Sequence, residues 1–295
     1  MTMAIHPRTR ISPLCIVPLI LFFIFTTPLN AAMNKGNEFN QLTQRLIQDG
    51  FDPHKIKNLF AKKEVFFNPT GVSLFFVHSE SSLDYDQFTS PKSIAKARAY
   101  MKTHKAILDR AQKKSGVDKT IITAILLVET RLGTYLGKRN VLNTLSTMAA
   151  LSDKKLRERI WDSIPAKRKT KRKTFLKKVE KRRRWGYSEL KALLQYAERD
   201  HLSAEAIKGS YAGAMGIPQF MPSNALNLAK DGNQDGKVDL FTHADAIFSV
   251  ANFLKYHGWK PGIGRQKQHK VLFRYNHSNY YVDTLLKISD ILKEG

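Results

Sequence analysis

Residues 121–128 read Ile-Ile-Thr-Ala-Ile-Leu-Leu-Val, and Glu129 follows at once. A helix that is apolar nearly all round has to be covered on every side. The stretch therefore predicts a central core helix from Lys119 to about Arg131, with the rest of the chain wrapped around it. Gly116 breaks the preceding helix, and Asp118 stands where a cap is wanted. A carboxylate at the end of such a helix is costly unless it is paired, hydrogen-bonded or protonated. Two readings follow from position alone. Glu129 pairs with Arg131 or another cation at the helix end. Alternatively, apolar walls keep it protonated, the condition under which a carboxyl acts as a general acid on a glycosidic oxygen.

The remaining pattern is mainly α. Apolar residues recur at helical spacing over 37–60, and Ser90-Pro91 opens another helical stretch to about Lys114. A final apolar-periodic helix spans 281–292. Between them, the apolar patch at 72–77 is expected as a short strand or extended segment, followed by turn-like Ser and Asp residues over 79–86. Strand signals are few, and no internal repeat is present. The fold class expected is mainly α (α+β).

The chain has 295 residues and a formal net charge of +24. A charge of that size first suggests nucleic acid or an anionic surface. The first thirty-odd residues alter that reading. Arg8 and Arg10 precede an apolar run over 14–25, and Ala31 and Ala32 follow Pro28. This is the order of a secretory signal peptide over 1–32, cut near Ala32; an uncleaved anchor is the competing reading. Either places the protein outside the cytoplasm, in the periplasm or cell envelope. The single cysteine, Cys15, lies inside the apolar run. It excludes a disulfide framework or a Cys-based metal site. Export, and the lack of any helix-turn-helix or RNA-binding signature, argue against specific nucleic-acid binding.

Much of the charge is local. Residues 153–208 read as a basic helical insertion. Within it, Lys167 to Arg184 carries four basic clusters opposed by Glu180 alone. Phe175, Leu176, Val179 and Trp185 punctuate it at helical spacing, which suggests one helix with a heavily basic face. That face is expected to meet an anionic wall or membrane surface.

The most specific segment is Gly209-Ser210-Tyr211-Ala212-Gly213-Ala214-Met215-Gly216-Ile217-Pro218-Gln219-Phe220-Met221-Pro222-Ser223. Small residues let a backbone approach a ligand, while Tyr, Met and Gln supply contact surface and polar anchors. A tight Gly-Ala packing corner is the plainer reading. Taken with Val128-Glu129-Thr130-Arg131-Leu132-Gly133 and Leu136-Gly137, the segment resembles the membrane-bound lytic murein transglycosylase B family. The resemblance continues through Asp245-Ala246-Ile247, Ser249-Val250-Ala251-Asn252-Phe253, His257-Gly258-Trp259 and Arg274-Tyr275-Asn276-His277-Ser278, in one order.

The resemblance implies a lysozyme-like fold with a helical lobe, acting on the glycan strands of peptidoglycan. It implies that Glu129 is the single catalytic acid and base. Glu129 would protonate the oxygen leaving N-acetylmuramic acid, then take the proton of that sugar's 6-hydroxyl as it attacks C1. A 1,6-anhydro sugar would result. No second carboxylate accompanies the matched motifs, whereas ordinary glycosidases use a pair. Ser210, Tyr211 and Gln219 are implied substrate contacts, Met215 a residue beside the sugar, and Tyr275, Asn276 and Tyr281 cleft residues. The domain reading is 1–32 signal, 33–115 N-terminal helical part, and 116–295 catalytic core. The protein is expected to be a monomer with no organic cofactor. Two alternatives stay open: a hydrolytic muramidase of the same fold, and an inactive peptidoglycan-binding or scaffold protein.

Asp231-Gly232-Asn233-Gln234-Asp235-Gly236-Lys237-Val238-Asp239 reads like the first nine positions of an EF-hand loop. Asp231, Asn233, Asp235 and Asp239 offer side-chain oxygens, and Lys237 its carbonyl. Thr242 departs from the pattern at the twelfth position. By the resemblance, Asp245 completes the loop. A structural calcium ion is expected, against the plainer reading of a self-bonded Asx turn. Only 260–272 separates the His-Gly-Trp and Tyr-Asn motifs, so the small β region the family often carries there is expected to be reduced or missing.

Overall fold

The computed structural model describes residues 38–77 and 84–294. The signal-peptide reading of 1–32 lies outside them. The described residues all belong to one compact unit. No described helix is long and apolar enough to cross a membrane.

The order begins with α1 (Asn40–Gln48), α2 (Pro53–Ala61) and α3 (Pro69–Ser73). Next come α4 (Pro91–Thr103), α5 (Lys105–Ser115), α6 (Lys119–Thr130), the two-residue strand β1 (Arg139–Asn140) and α7 (Val141–Ala149). α8 (Lys154–Asp162), α9 (Arg172–Arg199) and β2 (Lys208–Gly209) follow. α10 (Pro222–Leu228), α11 (His243–Tyr256), α12 (Arg265–Tyr275) and α13 (Asn279–Lys293) complete the chain. β1 and β2 pair antiparallel, Arg139 opposite Gly209. The expectation of a mainly α fold with few strands holds.

Local chemistry explains most boundaries. Asp52, Asn68, Ser90, Asn140, Asp153, Thr242 and Ser278 each accept a backbone N–H at the start of the helix they precede. Gly116 closes α5 in the left-handed conformation. Three expectations need correction. The patch at 72–77 is helical, α3 running into a 3₁₀ turn over Leu74–Phe76. A short apolar run has no period to tell strand from helix, and Asn68-Pro69 starts a helix there. The stretch from Pro91 is two helices, interrupted at His104, whose ring packs on Tyr100 and His243. Asp118 precedes α6 without capping it; its carboxylate faces Lys293 instead.

α6 is the buried axis. Its residues from Thr120 to Leu127 are all enclosed, with α13, α4, α11 and α5 packed around it. The region 153–208 packs against α3, α7 and α10. α9 is one 28-residue helix whose second half, including Tyr187, Leu190, Leu193 and Tyr196, is buried against α7 and α10. The basic clusters hid that continuity. α12 occupies the short link between the His-Gly-Trp and Tyr-Asn motifs, with no strand there.

The contact of α9 with α7 is tight at Gly186, where an added Cβ would lie 2.7 Å from Met148 Cβ. Alanine is worth about 1 kcal/mol over glycine inside an exposed helix. Overpacking costs about 1–3 kcal/mol. Gly186→Ala is therefore expected to destabilise the fold by about 1 kcal/mol in urea denaturation. A stabilised variant would contradict this packing.

Candidate active site

Glu129 is the penultimate residue of α6 and is half-buried. The chain leaves the helix through three successive left-handed residues: Arg131 (φ 50°), Leu132 (φ 62°) and Gly133 (φ 86°). Non-glycine residues pay roughly 1–2 kcal/mol each for this conformation. Thr130, fully buried, holds the turn. Its Oγ1 donates to the Ile217 carbonyl at 2.9 Å and accepts from Gly133 N at 3.0 Å. The end of α6 is thereby fastened to the glycine-rich segment.

Two tyrosines approach from the C-terminal helices. Ser278 caps α13 by accepting from Tyr281 N, so Tyr281 stands in the first turn. Its hydroxyl donates to Glu129 Oε1 at 2.5 Å. Tyr275, last in α12, stacks on Tyr281 with ring centroids 6.4 Å apart and donates to the Pro218 carbonyl at 2.5 Å. Tyr85 meets Tyr281 edge-on at 6.5 Å. Burial, and then the nearby Glu129 charge, push both the Tyr275 and Tyr281 hydroxyls well above the usual phenol range. Both therefore stay protonated and act as donors.

Glu129 opens into a cleft of about 300 Å³, lined by Tyr85, Phe88, Arg131, Tyr135, Asn276 and Tyr281 among others. That is the small end of ligand pockets. Tyr135 is 64% exposed, a bare aromatic face at the rim. Arg131 reaches Gln87 Oε1 at 2.6 Å. Asp84 also lines the cleft; it is exposed, and its Oδ1 accepts from Asp86 N. A larger cavity of about 770 Å³ lies between α2 and the end of α9. The ion pairs Lys55–Glu198 and Lys62–Glu205 join residues that line it. Volume favours that cavity, but chemistry favours the smaller one, where a half-buried carboxyl is held by a buried phenol.

The expected site residues divide into two groups. Glu129, Asn276 and Tyr281 share the cleft, with Tyr275 stacked behind. Ser210, Tyr211 and Gln219 lie in the neighbouring glycine-rich turn and do not line that cleft. Ser210 Oγ accepts from Ala212 N and Ala214 N, bracketing the turn. Gln219, at φ 49°, donates to the Gly216 carbonyl at 2.8 Å. Tyr211 packs on Phe75, which stacks on Trp185. Met215 is fully buried, and its backbone bridges to Gly209 and Phe220. The packing-corner reading applies there. Asp84, Tyr85, Gln87, Phe88, Arg131 and Tyr135 line the cleft and were not among the residues expected there.

The acidic loop is arranged around its own backbone. Asp231 accepts from Gln234 N and Gly236 N, and Asp235 from Lys237 N. Asn233 accepts from Asp235 N, and Asp239 from Phe241 N. Asp245 is fully buried and accepts from Gly232 N at 2.8 Å and Asp239 N at 2.7 Å. Thr242, at the departing position, caps α11. Among the described residues no three His, Cys, Asp or Glu side chains converge as a metal-binding group. The donor set nevertheless suits a hard cation: carboxylate, amide and carbonyl oxygens, with none of these four aspartates in an ion pair among the described residues. Burial, with the Asp231 charge as a lesser cause, holds the Asp245 carboxyl above its usual range against the backbone N–H bonds that oppose it.

The family model described as Transglycosylase SLT domain matches residues 34–268. The membrane-bound lytic murein transglycosylase B of Escherichia coli (strain K12) is 31% identical over 176 residues, 60% of this chain and 41% of that protein. The chain thus aligns with less than half the length of this curated relative. Among solved structures, SltB3 of Pseudomonas aeruginosa in complex with NAG-anhNAM-pentapeptide is similar with a TM-score of 0.69 and 20% identity. It covers 88% of this chain and 80% of that one. The Escherichia coli lytic transglycosylase SLT35 in complex with calcium gives 0.64 and 22%, covering 88% and 93%.

The phenol geometry carries a pH signature. A hydroxyl whose folded pKa lies above the unfolded value near 10 contributes stability below about pH 10 that is lost as pH rises. Tyr281→Phe removes one such group. Between about pH 9 and 11, where free phenols titrate, the variant is expected to lose less stability than the wild type in parallel urea titrations. Identical slopes would show that Tyr281 ionises freely.

Proposed function

Because the chain belongs to the transglycosylase SLT family, we propose that it cleaves the glycan strands of peptidoglycan as a lytic transglycosylase, with Glu129 as its single acid and base. The observation that carries this reading is the Tyr281 hydroxyl bonded to Glu129 Oε1 in a cleft with aromatic walls. That bond holds the carboxyl at the cleft that the substrate would enter. Glu129 gives its proton to the bridging oxygen as the bond from C1 of N-acetylmuramic acid breaks. The same carboxylate then accepts the proton of that sugar's 6-hydroxyl as the O6–C1 bond forms. No water is consumed, and Glu129 ends as it began. Tyr85, Phe88 and Tyr135 supply faces for sugar rings, and Asn276 a polar anchor. Tyr275 acts behind the cleft, joining Tyr281 to the glycine-rich turn. Ser210, Gln219 and Tyr211 shape and extend that turn towards more distant sugars.

One observation favours a second reading. Asp84 places another carboxylate at the cleft, as a hydrolytic muramidase would need. Its exposure and its bond to Asp86 N weigh against an activated base. Digesting purified sacculi in heavy-oxygen water separates the two. The transglycosylase yields 1,6-anhydromuropeptides without label, and Glu129→Gln lowers their release by at least about 10²-fold, as loss of an acid–base group does. Labelled reducing ends would establish the hydrolase. Wall turnover untouched by Glu129→Gln would leave a binding or scaffold protein.

The relative described as membrane-bound, together with the basic–apolar–small order of residues 1–32, supports an exported protein of the cell envelope. The acidic loop is assigned a structural calcium ion, held by oxygens of Asp231, Asn233, Asp235, Asp239, Asp245 and the Lys237 carbonyl. Bound calcium would offset the mutual repulsion of these carboxylates and lock the entry into α11. Millimolar calcium is expected to raise the melting temperature of the wild type, by about 2.7 kcal/mol of stabilisation at 100-fold excess over Kd. The shift should vanish in Asp231→Asn/Asp235→Asn. A calcium-independent melting curve would leave the plain Asx-turn reading.

A further inference from the structure

Residues 167–184 carry twelve Lys or Arg against Glu180 alone. In the fold they form a ridge along the turn before α9 and its first half. Two rules of helix electrostatics are broken there. A helix start favours acids, yet the first turn of α9 has none and begins with Arg172 and Lys173 after an uncapping Lys171. Like charges four residues apart repel, yet Lys173, Lys177 and Lys181 stand in one exposed row. Among the described residues none of these three enters an ion pair. Local violations of this kind, made without gain to the fold, mark function.

The ridge is held rigid from below. Phe175 and Val179 are buried, Phe175 between Phe76 and Trp161. Lys178 donates to the Phe76 carbonyl. With the apolar stripe facing inwards, the outer face offers cations and the lone, half-exposed Leu176. At its far end the ridge meets the glycine-rich turn beside the cleft. Arg182 lies over Phe75, which stacks on Trp185 and touches Tyr211, the neighbour of Ser210.

We propose that this ridge binds the carboxylates of stem peptides on the same glycan strand that passes Glu129. The inference rests on the transglycosylase reading and names a further part of its substrate. Stem peptides repeat along the strand, each presenting carboxylates. The ridge offers a row of free ammonium groups continuous with the glycine-rich turn. An anionic lipid leaflet shares the charge, but the face lacks the apolar stripe that an interfacial helix inserts.

The test uses full-length protein carrying Glu129→Gln, so binding is read without turnover. Absence of anhydro products from the wild type would sink the reaction while leaving this measurement readable. Lys173→Gln/Lys177→Gln/Lys181→Gln is expected to bind intact sacculi roughly tenfold more weakly, the size expected for three exposed charge contacts. Its binding should also depend less on salt. Binding to glycan strands stripped of stem peptides by an amidase should not change. Soluble polyglutamate should displace the unsubstituted protein from intact sacculi, which tests the same surface without a substitution. Equal loss on stripped strands, or a loss confined to anionic phospholipid vesicles, would overturn the proposal.

Discussion

The structure depends on one constraint: α6 is buried on all sides, so its polar end has to be satisfied by groups brought from elsewhere. Backbone N–H groups of Leu132, Arg131 and Tyr135 meet the Leu126, Leu127 and Thr130 carbonyls, but a half-buried carboxylate at that end is costly without a partner. The chain answers with three attachments. Thr130 bonds to the Ile217 carbonyl, Tyr281 to Glu129, and Tyr275 to the Pro218 carbonyl. These join α6, α13, α12 and the glycine-rich turn at one point. The bonds that fasten this end of the helix also border the cleft, so the stability of the core and the geometry of the acid are not independent.

The glycine-rich turn follows from that junction. It has to pass close to β1 and to the end of α6 while carrying Ile217 and Pro218 to their bonds. A Cβ at Gly209 would fall 2.1 Å from the Ala214 carbonyl oxygen, and one at Gly216 2.5 Å from Leu240 Cβ. Ser210 bonds inside the turn and Met215 fills the space beneath it. Small residues here serve backbone approach within the protein first, and any ligand second.

The core helix, its acid, the final helix and the mainly α fold were legible because each is a long periodic signal or a strong local one. The Tyr275–Asn276 and Tyr281 positions were legible only through resemblance, since nothing in their spacing points towards Glu129, more than a hundred residues away. Tyr85, Phe88 and Tyr135 escaped notice for a different reason. They are single aromatics in loops, and a lone aromatic carries no period. The burial of Met215 was not legible, because a motif records which residues occur, not which way a side chain faces. The packing of α9 was hard to read because its charge is conspicuous, while the buried stripe through Val179, Gly186, Leu190 and Leu193 is spread over the same helix.

That double character of α9 explains how an excess of charge is tolerated. Its second half is fixed against α7 and α10, so the helix is not required to stabilise itself. The first half can then carry repelling cations, because their cost is set against tertiary burial and not against local helix propensity. Repulsion between ammonium groups held in a row is largest when nothing is bound and falls when an anion arrives. A rigid ridge gains this relief without the ordering cost that a flexible basic tail would pay. The same logic operates at the acid. Arg131 and Leu132 are kept in costly left-handed conformations by the buried bonds of Thr130, which also fasten the end of α6 that carries Glu129. In both places a locally unfavourable arrangement persists because the core around α6 and α7 over-determines it.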